Sequence, residues 1–265
     1  MIEVKNLIKS FEGQTVLHDI NCTFDEGKNN LIIGQSGSGK TVLMKCLIGL
    51  VKPEKGQILY DGRDLLTMSP FDIKKLRQEI GMLFQGSALF DSMTVEENVM
   101  FPLTMFSNDT LRERQERAQF CLDRVNLHGA EKKFPSEISG GMQKRVAIAR
   151  AIALKPRYLF CDEPNSGLDP QTSILIDELI NDITKEYNIT TIVNTHDMNS
   201  VLGIGDNIIF LNKGHKEWVG NKDQILTSDN KALNNFVFAS PLFKSVRKAA
   251  VEEEVERDFP KEENK

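Results

Sequence analysis

The chain has 265 residues, 33 Lys+Arg against 38 Asp+Glu, and a formal net charge of −5. With 40% hydrophobic and 27% charged residues it is an ordinary globular composition with enough chain to bury a core, which excludes disorder, collagen-like repeats and a disulfide scaffold. Residues 249–265 carry seven acids against three bases. They read as a solvated tail, and the nearly neutral remainder offers no basic field for nucleic acid.

The four cysteines (Cys22, Cys46, Cys121, Cys161) form no CxxC pair and have no His at metal-ligand spacing. They read as small buried apolar residues in a reducing compartment. Glu3, Lys5 and Lys9 interrupt the N-terminus, so no signal peptide is expected. No run of about 18 apolar residues occurs, so no spanning helix is expected and the protein is placed in the cytosol.

In chain order, residues 2–7 and 15–24 alternate in character and read as strands about a Gly13 turn. Glu26-Gly27 is a second turn, and residues 31–33 form a buried strand running into a glycine-rich loop. Val42, Leu43, Cys46 and Leu47 have helical spacing within 41–50. Residues 56–60 are a strand closed by Asp61-Gly62, and 80–84 is the next. Thr94-x-x-Glu97 and Thr110-x-x-Glu113 are capping boxes, the second opening a helix to about 126. A helix over 141–154 stops before Pro156, residues 158–161 are a buried strand, and Asp169-Pro170 starts a helix reaching 186. Residues 190–195 form another strand. Beyond about 240 the pattern fades into Lys244, Arg247 and Lys248 and then the acidic tail. Alternating strands and helices predict an α/β fold with a parallel sheet covered on both faces.

Residues Gly34-Gln35-Ser36-Gly37-Ser38-Gly39-Lys40-Thr41 match the P-loop pattern G-x-x-x-x-G-K-[ST] between a strand and a helix. Glycines let backbone N–H groups converge on phosphate oxygens, Lys40 reaches the β- and γ-phosphates, and the Thr41 hydroxyl binds Mg²⁺. The apolar run 158–161 then delivers Asp162 to that metal and, one residue on, Glu163 to polarise a water. These residues predict a nucleoside-triphosphate site.

Ile138-Ser139-Gly140-Gly141-Met142-Gln143-Lys144-Arg145 resembles the signature motif of ABC-type ATPases. Ser166-Gly167-Leu168-Asp169 resembles their D-loop, Thr195-His196-Asp197 their switch histidine, and Gln85 their Q-loop glutamine. On these motifs, in the family's order, the chain is identified as a member of the ABC ATPases. The resemblance implies a P-loop NTPase (RecA-like) core, an N-terminal antiparallel β subdomain and a helical signature subdomain at about 86–157. The ATPase domain would cover 1–240 and a C-terminal extension 241–265. It implies ATP and Mg²⁺ as cofactors and a head-to-tail pair of chains, with Ser139, Gly140 and Gly141 of one copy reaching the γ-phosphate held by the other. Lys40, Gln85, Glu163 and His196 would be catalytic. Phe11 would stack on adenine, joining Gly34, Ser36, Gly37, Ser38, Gly39, Lys40 and Thr41 around the nucleotide, and Thr41, Gln85 and Asp162 would serve the metal. The chain departs from the usual signature at Met142, where Gln is common, and at Ile138, where Leu is; Met cannot donate as an amide does. His18, His128, His215 and Trp218 have no supporting neighbours and read as structural or surface residues.

The run 82–103, with the Ser-Gly-Gly-Met signature, is similar to the ATPase of Mla-type phospholipid transporters, whose partners are a permease and MCE-type lipid-binding proteins. It is also similar to importers of methionine and polar amino acids. The resemblance implies a peripheral subunit on the cytoplasmic face of the inner membrane, with a permease docking near 86–106 through Leu89, Phe90, Met93 and Met105. Phe236, Phe238, Leu242 and Phe243 would anchor the extension on a partner or on its own domain. A soluble ABC ATPase of DNA repair or translation would carry tandem cassettes or long insertions, and a non-hydrolysing module would lack catalytic residues.

Overall fold

The computed structural model describes residues 1–258, with side chains to Ala250. The N-terminal hairpin pairs β1 (Ile2–Phe11) antiparallel with β2 (Gln14–Phe24) around Glu12 and Gly13, whose φ values of 50° and 81° make the tight turn expected at Gly13. β3 (Asn29–Ile33) leads through the glycine-rich loop into α1 (Lys40–Leu47). Next come β4 (Lys55–Tyr60), β5 (Arg63–Asp64), α2 (Pro70–Gln78) and β6 (Ile80–Leu83). β4 pairs with β1 and β5, giving a four-stranded antiparallel sheet of order β2-β1-β4-β5.

Helices α3 (Val95–Phe106), α4 (Leu111–Arg124) and α5 (Gly140–Ile152) follow. Thr94 and Thr110 each close a reciprocal capping box with Glu97 and Glu113, as their spacing predicts. β7 (Tyr158–Asp162), α6 (Pro170–Glu186) and β8 (Thr190–Asn194) complete the sequence pattern, with Asp169 capping α6 and Pro170 at its first position. α7 (Met198–Ile204), β9 (Asn207–Asn212), β10 (His215–Gly220), α8 (Gln224–Thr227), α9 (Lys231–Val237) and α10 (Pro241–Asp258) finish the described chain.

The second sheet has order β10-β9-β3-β8-β7-β6, parallel except for β10. Its residues alternate between two cores because successive side chains leave opposite faces. Ile32, Phe160, Ile192 and Ile209 pack under the antiparallel sheet and α1, while Leu31, Leu159, Val193 and Ile208 join the helices. Both faces are therefore dry, and all five residues of β3 and of β8 are buried.

The fading expected after residue 240 is corrected: α10 continues to Asp258, built from good helix formers with little apolar stripe. Residues 259–265 of the acidic tail lie outside the described residues. Phe238 is buried, Phe236 stacks on Phe210 at 5.5 Å and Phe243 packs on the helical-side core, while Leu242 is exposed. Of the four proposed anchors, three thus serve the chain's own core. The four cysteines are free; Cys22 is half-buried and the others buried. Among the described residues no helix is long and apolar enough to cross a membrane.

Candidate functional site

β3 ends at the centre of the parallel sheet, so its C-terminus delivers the glycine-rich loop to the mouth of the fold. At Gly34, φ is 150° and a Cβ would sit 2.2 Å from the Leu211 carbonyl oxygen, so only glycine fits. Gly39 caps α1 in the left-handed region, with no side-chain cap and no acid in the first turn. The first N–H groups of α1 are left for an anion, reinforced by the helix dipole. The buried Lys40 ammonium is held by the carbonyl oxygens of Gly34 (2.8 Å) and Gln35 (3.2 Å). Desolvation lowers its pKa against the fields of Glu163 and Asp162. Ser38 Oγ is buried without a protein partner. The β9–β10 turn braces the loop: Gly214 N donates to Ser38 O at 3.0 Å, and the His18 and His215 rings stack at 4.3 Å behind it.

Asp162 ends β7 beside Asn194 of β8. Asn194 Nδ2 donates to Asp162 Oδ1 at 2.6 Å and lies 3.4 Å from Thr41 Oγ1. Glu163 follows with φ 47°, an unfavourable left-handed conformation for a non-glycine residue, fixed by its N–H donating to Asn194 O at 2.8 Å. That twist turns its carboxylate to His196, whose Nδ1 lies 2.9 and 2.8 Å from Oε1 and Oε2. Gln85 Nε2 reaches Ser166 Oγ at 3.3 Å, and the buried Lys144 of α5 donates to the Gln85 carbonyl. Arg150 of the same helix bonds the carbonyls of Ser87 and Ala88, each at 2.7 Å.

Gly34, Ser36, Gly37, Gly39, Lys40 and Thr41 line one cleft of about 660 Å³ together with Gln85, Glu163 and His196. Gln35 also lines it, and Val16, Val42 and Phe236 supply its apolar wall. Phe11, at the hairpin tip, is 45% exposed under the Lys9 ammonium and is not among the lining residues. Ser139, Gly140 and Gly141 do not line it either; Ser139 caps α5, its Oγ accepting from Met142 N at 3.3 Å. The Met142 backbone N–H thus serves the cap whichever side chain stands there. Asp162 stands behind the lining, reached through Asn194.

A hydroxyl and a carboxylate joined by an amide, an unpaired loop hydroxyl and an uncapped helix end fit a nucleotide phosphate with Mg²⁺, a cation that takes oxygen ligands. The profile of the family described as ABC transporter matches residues 17–166. The chain belongs to the ABC transporter ATPase family. Members of this family hydrolyse ATP with Mg²⁺. The ABC chain is 40% identical over 236 residues to the probable ribonucleotide transport ATP-binding protein mkl of Mycobacterium leprae, covering 89% of this chain and 68% of that one. It is 37% identical to the methionine import ATP-binding protein MetN 2 of Pseudomonas syringae, covering 81% of this chain and 65% of that one. The chain thus spans about two thirds of these relatives' length. Among solved structures it is similar to the dimeric bacterial ABC transporter cassette MJ0796. That match has a TM-score of 0.77 and 33% identity, covering 84% of this chain and 99% of the cassette; the same cassette is known in a post-hydrolysis state bound to ADP and Pi. The ABC cassette fold expected from the motifs is the observed one.

Two residues packed beside the cleft, Asn194 and Arg150, carry no motif, and Lys144 falls inside the signature run without a role of its own. Asn194 had a signal, an amide inside a β-branched strand, where unpaired polar groups are costly. Arg150 had none, because basic residues on a helix ordinarily face water.

Proposed function

We propose that the chain is the ATP-hydrolysing subunit of an ABC transporter and works as a head-to-tail pair. The observation that carries this reading is the separation within one chain: Glu163 and His196 face the P-loop across the cleft, while Ser139, Gly140 and Gly141 lie outside it. A second copy would close the site by presenting its signature helix N-terminus to the γ-phosphate. Lys40 would exchange its loop carbonyls for phosphate oxygens, and Phe11 would cover the adenine. Thr41, Gln85 and Asp162 would hold Mg²⁺, which when bound neutralises phosphate charge. Glu163 would take a proton from the attacking water, with His196 orienting its carboxylate and bonding the γ-phosphate.

Residues 1–240 would form the ATPase unit, with 86–157 as its helical part, and 241–265 the extension. The subunit would sit peripherally on the cytoplasmic face of the membrane. A groove of about 420 Å³ lined by Phe84, Ala88, Phe90, Phe101, Pro102 and Leu154 supports permease docking near 86–106. Phospholipid moved between bacterial membranes, with an MCE-type partner, is the cargo reading supported by the 82–103 run and the Ser-Gly-Gly-Met signature. The methionine importer among the relatives favours a small solute as the second reading.

Glu163→Gln tests the chemistry: turnover should fall about 100-fold or more while ATP is retained and the chain pairs on size-exclusion chromatography. Unchanged turnover refutes the assignment. A mild-detergent pull-down from native membranes tests the cargo. Recovery of a permease with an MCE-type protein and phospholipid supports lipid transport, and a periplasmic-type solute receptor supports import.

A further inference from the structure

We infer that Asn194 is a positioning residue that holds Thr41 and Asp162 in the arrangement that accepts Mg²⁺, an inference that rests on the assignment of those two residues to the metal. Asn194 is fully buried in a strand whose other members are Thr190, Thr191, Ile192 and Val193. A buried amide there is costly unless its hydrogen bonds are made. A carboxylate only accepts, so the amide nitrogen must be the atom facing Asp162 Oδ1 at 2.6 Å. The same nitrogen lies 3.4 Å from Thr41 Oγ1, 153 residues away in sequence. A threonine hydroxyl has two lone pairs, so a bond from Asn194 leaves the other for a cation.

Two further observations tie this residue to the site. Its Oδ1 is buried and has no protein partner, and water bound to a cation is the kind of donor such an acceptor lacks. Its backbone registers the neighbouring strands, standing opposite Ile32 of β3 and Asp162 of β7, while its carbonyl accepts from Glu163 N. One residue therefore braces the threonine, the aspartate and, through its main chain, the glutamate. A valine at this position keeps the main-chain bonds and removes both side-chain contacts.

The test measures the affinity of the full chain for trinitrophenyl-ATP with Mg²⁺ and with EDTA, the ratio being the metal's contribution. Asn194→Val should leave affinity in EDTA within about twofold of the parent and cut the metal's contribution about tenfold, as loss of a residue orienting metal ligands does. Asn194→Ser carries the same measurement if the valine variant does not fold, with circular-dichroism melting as the check. An unchanged metal contribution, or an equal loss of affinity in EDTA, overturns the inference. Thr41→Val and Asp162→Asn run alongside. If they lose the metal's contribution and Asn194→Val keeps it, Asn194 is not the brace and the metal assignment stands. If none of the three loses it, both fall.

Discussion

Asn98 offers the sharpest stability prediction, because one fully buried amide organises the loop before α3. Its Oδ1 accepts from Phe90 N at 2.8 Å, and its Nδ2 donates toward the carbonyls of Phe90, Met93 and Thr94 at 3.1, 3.1 and 3.0 Å. Substitution by alanine does not orphan all of these equally. Phe90 O still accepts from Met93 N, and Thr94 O from Asn98 N. The uncompensated losses are the part-buried Phe90 N–H and the bond to Met93 O, so the cost is about 1–3 kcal/mol, two lost hydrogen bonds of about 0.5–1.5 each. Urea unfolding of Asn98→Ala should show a lower midpoint with unchanged slope. Asn98→Asp, which keeps the acceptor for Phe90 N but points oxygen at three carbonyls, should also destabilise. A loss below about 0.5 kcal/mol for alanine, the range of ordinary surface substitutions, would refute the view that this side chain holds the loop.

Burial raises the Asp177 carboxyl to about 6, partly offset by hydrogen bonds from Ser200 and Asn165. A folded pKa above the unfolded one favours the protonated folded state, so this group's stabilisation is full below about pH 4 and lost as pH rises through about 6. Asp177→Asn should therefore match the parent near pH 4 and exceed it by about 3 kcal/mol at pH 8; a difference that does not vary with pH in urea melts would count against the burial argument. Gly81 of β6 packs so closely on α5 that a Cβ would lie 2.4 Å from the Ala151 carbonyl oxygen. Gly81→Ala should cost about 2–3 kcal/mol and lower the melting temperature by about 5–10 °C, and a melting temperature within about 2 °C of the parent's would show that the two elements separate freely.

What was legible in the sequence depended on neighbours a few positions apart. The glycine spacing of 34–39, the capping boxes at Thr94 and Thr110, the Asp169-Pro170 start and the apolar runs at 158–161 and 190–195 each state a backbone preference locally. The elements built on them lie where expected, to within about three residues. The family motifs extended that reading to the fold, because each is a short segment whose chemistry travels with it. α10 has little apolar face, and β9 and β10 lie beyond the last motif; α2 is a signal passed over, since Ser69-Pro70 opens it as Asp169-Pro170 opens α6. Only the tertiary structure decided which segments meet. Sheet order places β3 between β8 and β9, which brings Thr41 to Asn194, and parallel pairing of β7 with β8 sets Asp162 opposite that same asparagine. It turned Lys144 and Arg150 inward to hold the carbonyls of the loop at Gln85–Ala88. It folded Phe236, Phe238 and Phe243 onto their own core and left Leu242 exposed. Such contacts join residues far apart along the chain, and they exist only after the buried strands have stacked their two faces against different partners. Local sequence specifies the parts and the chemistry they carry, while long-range packing specifies their neighbours.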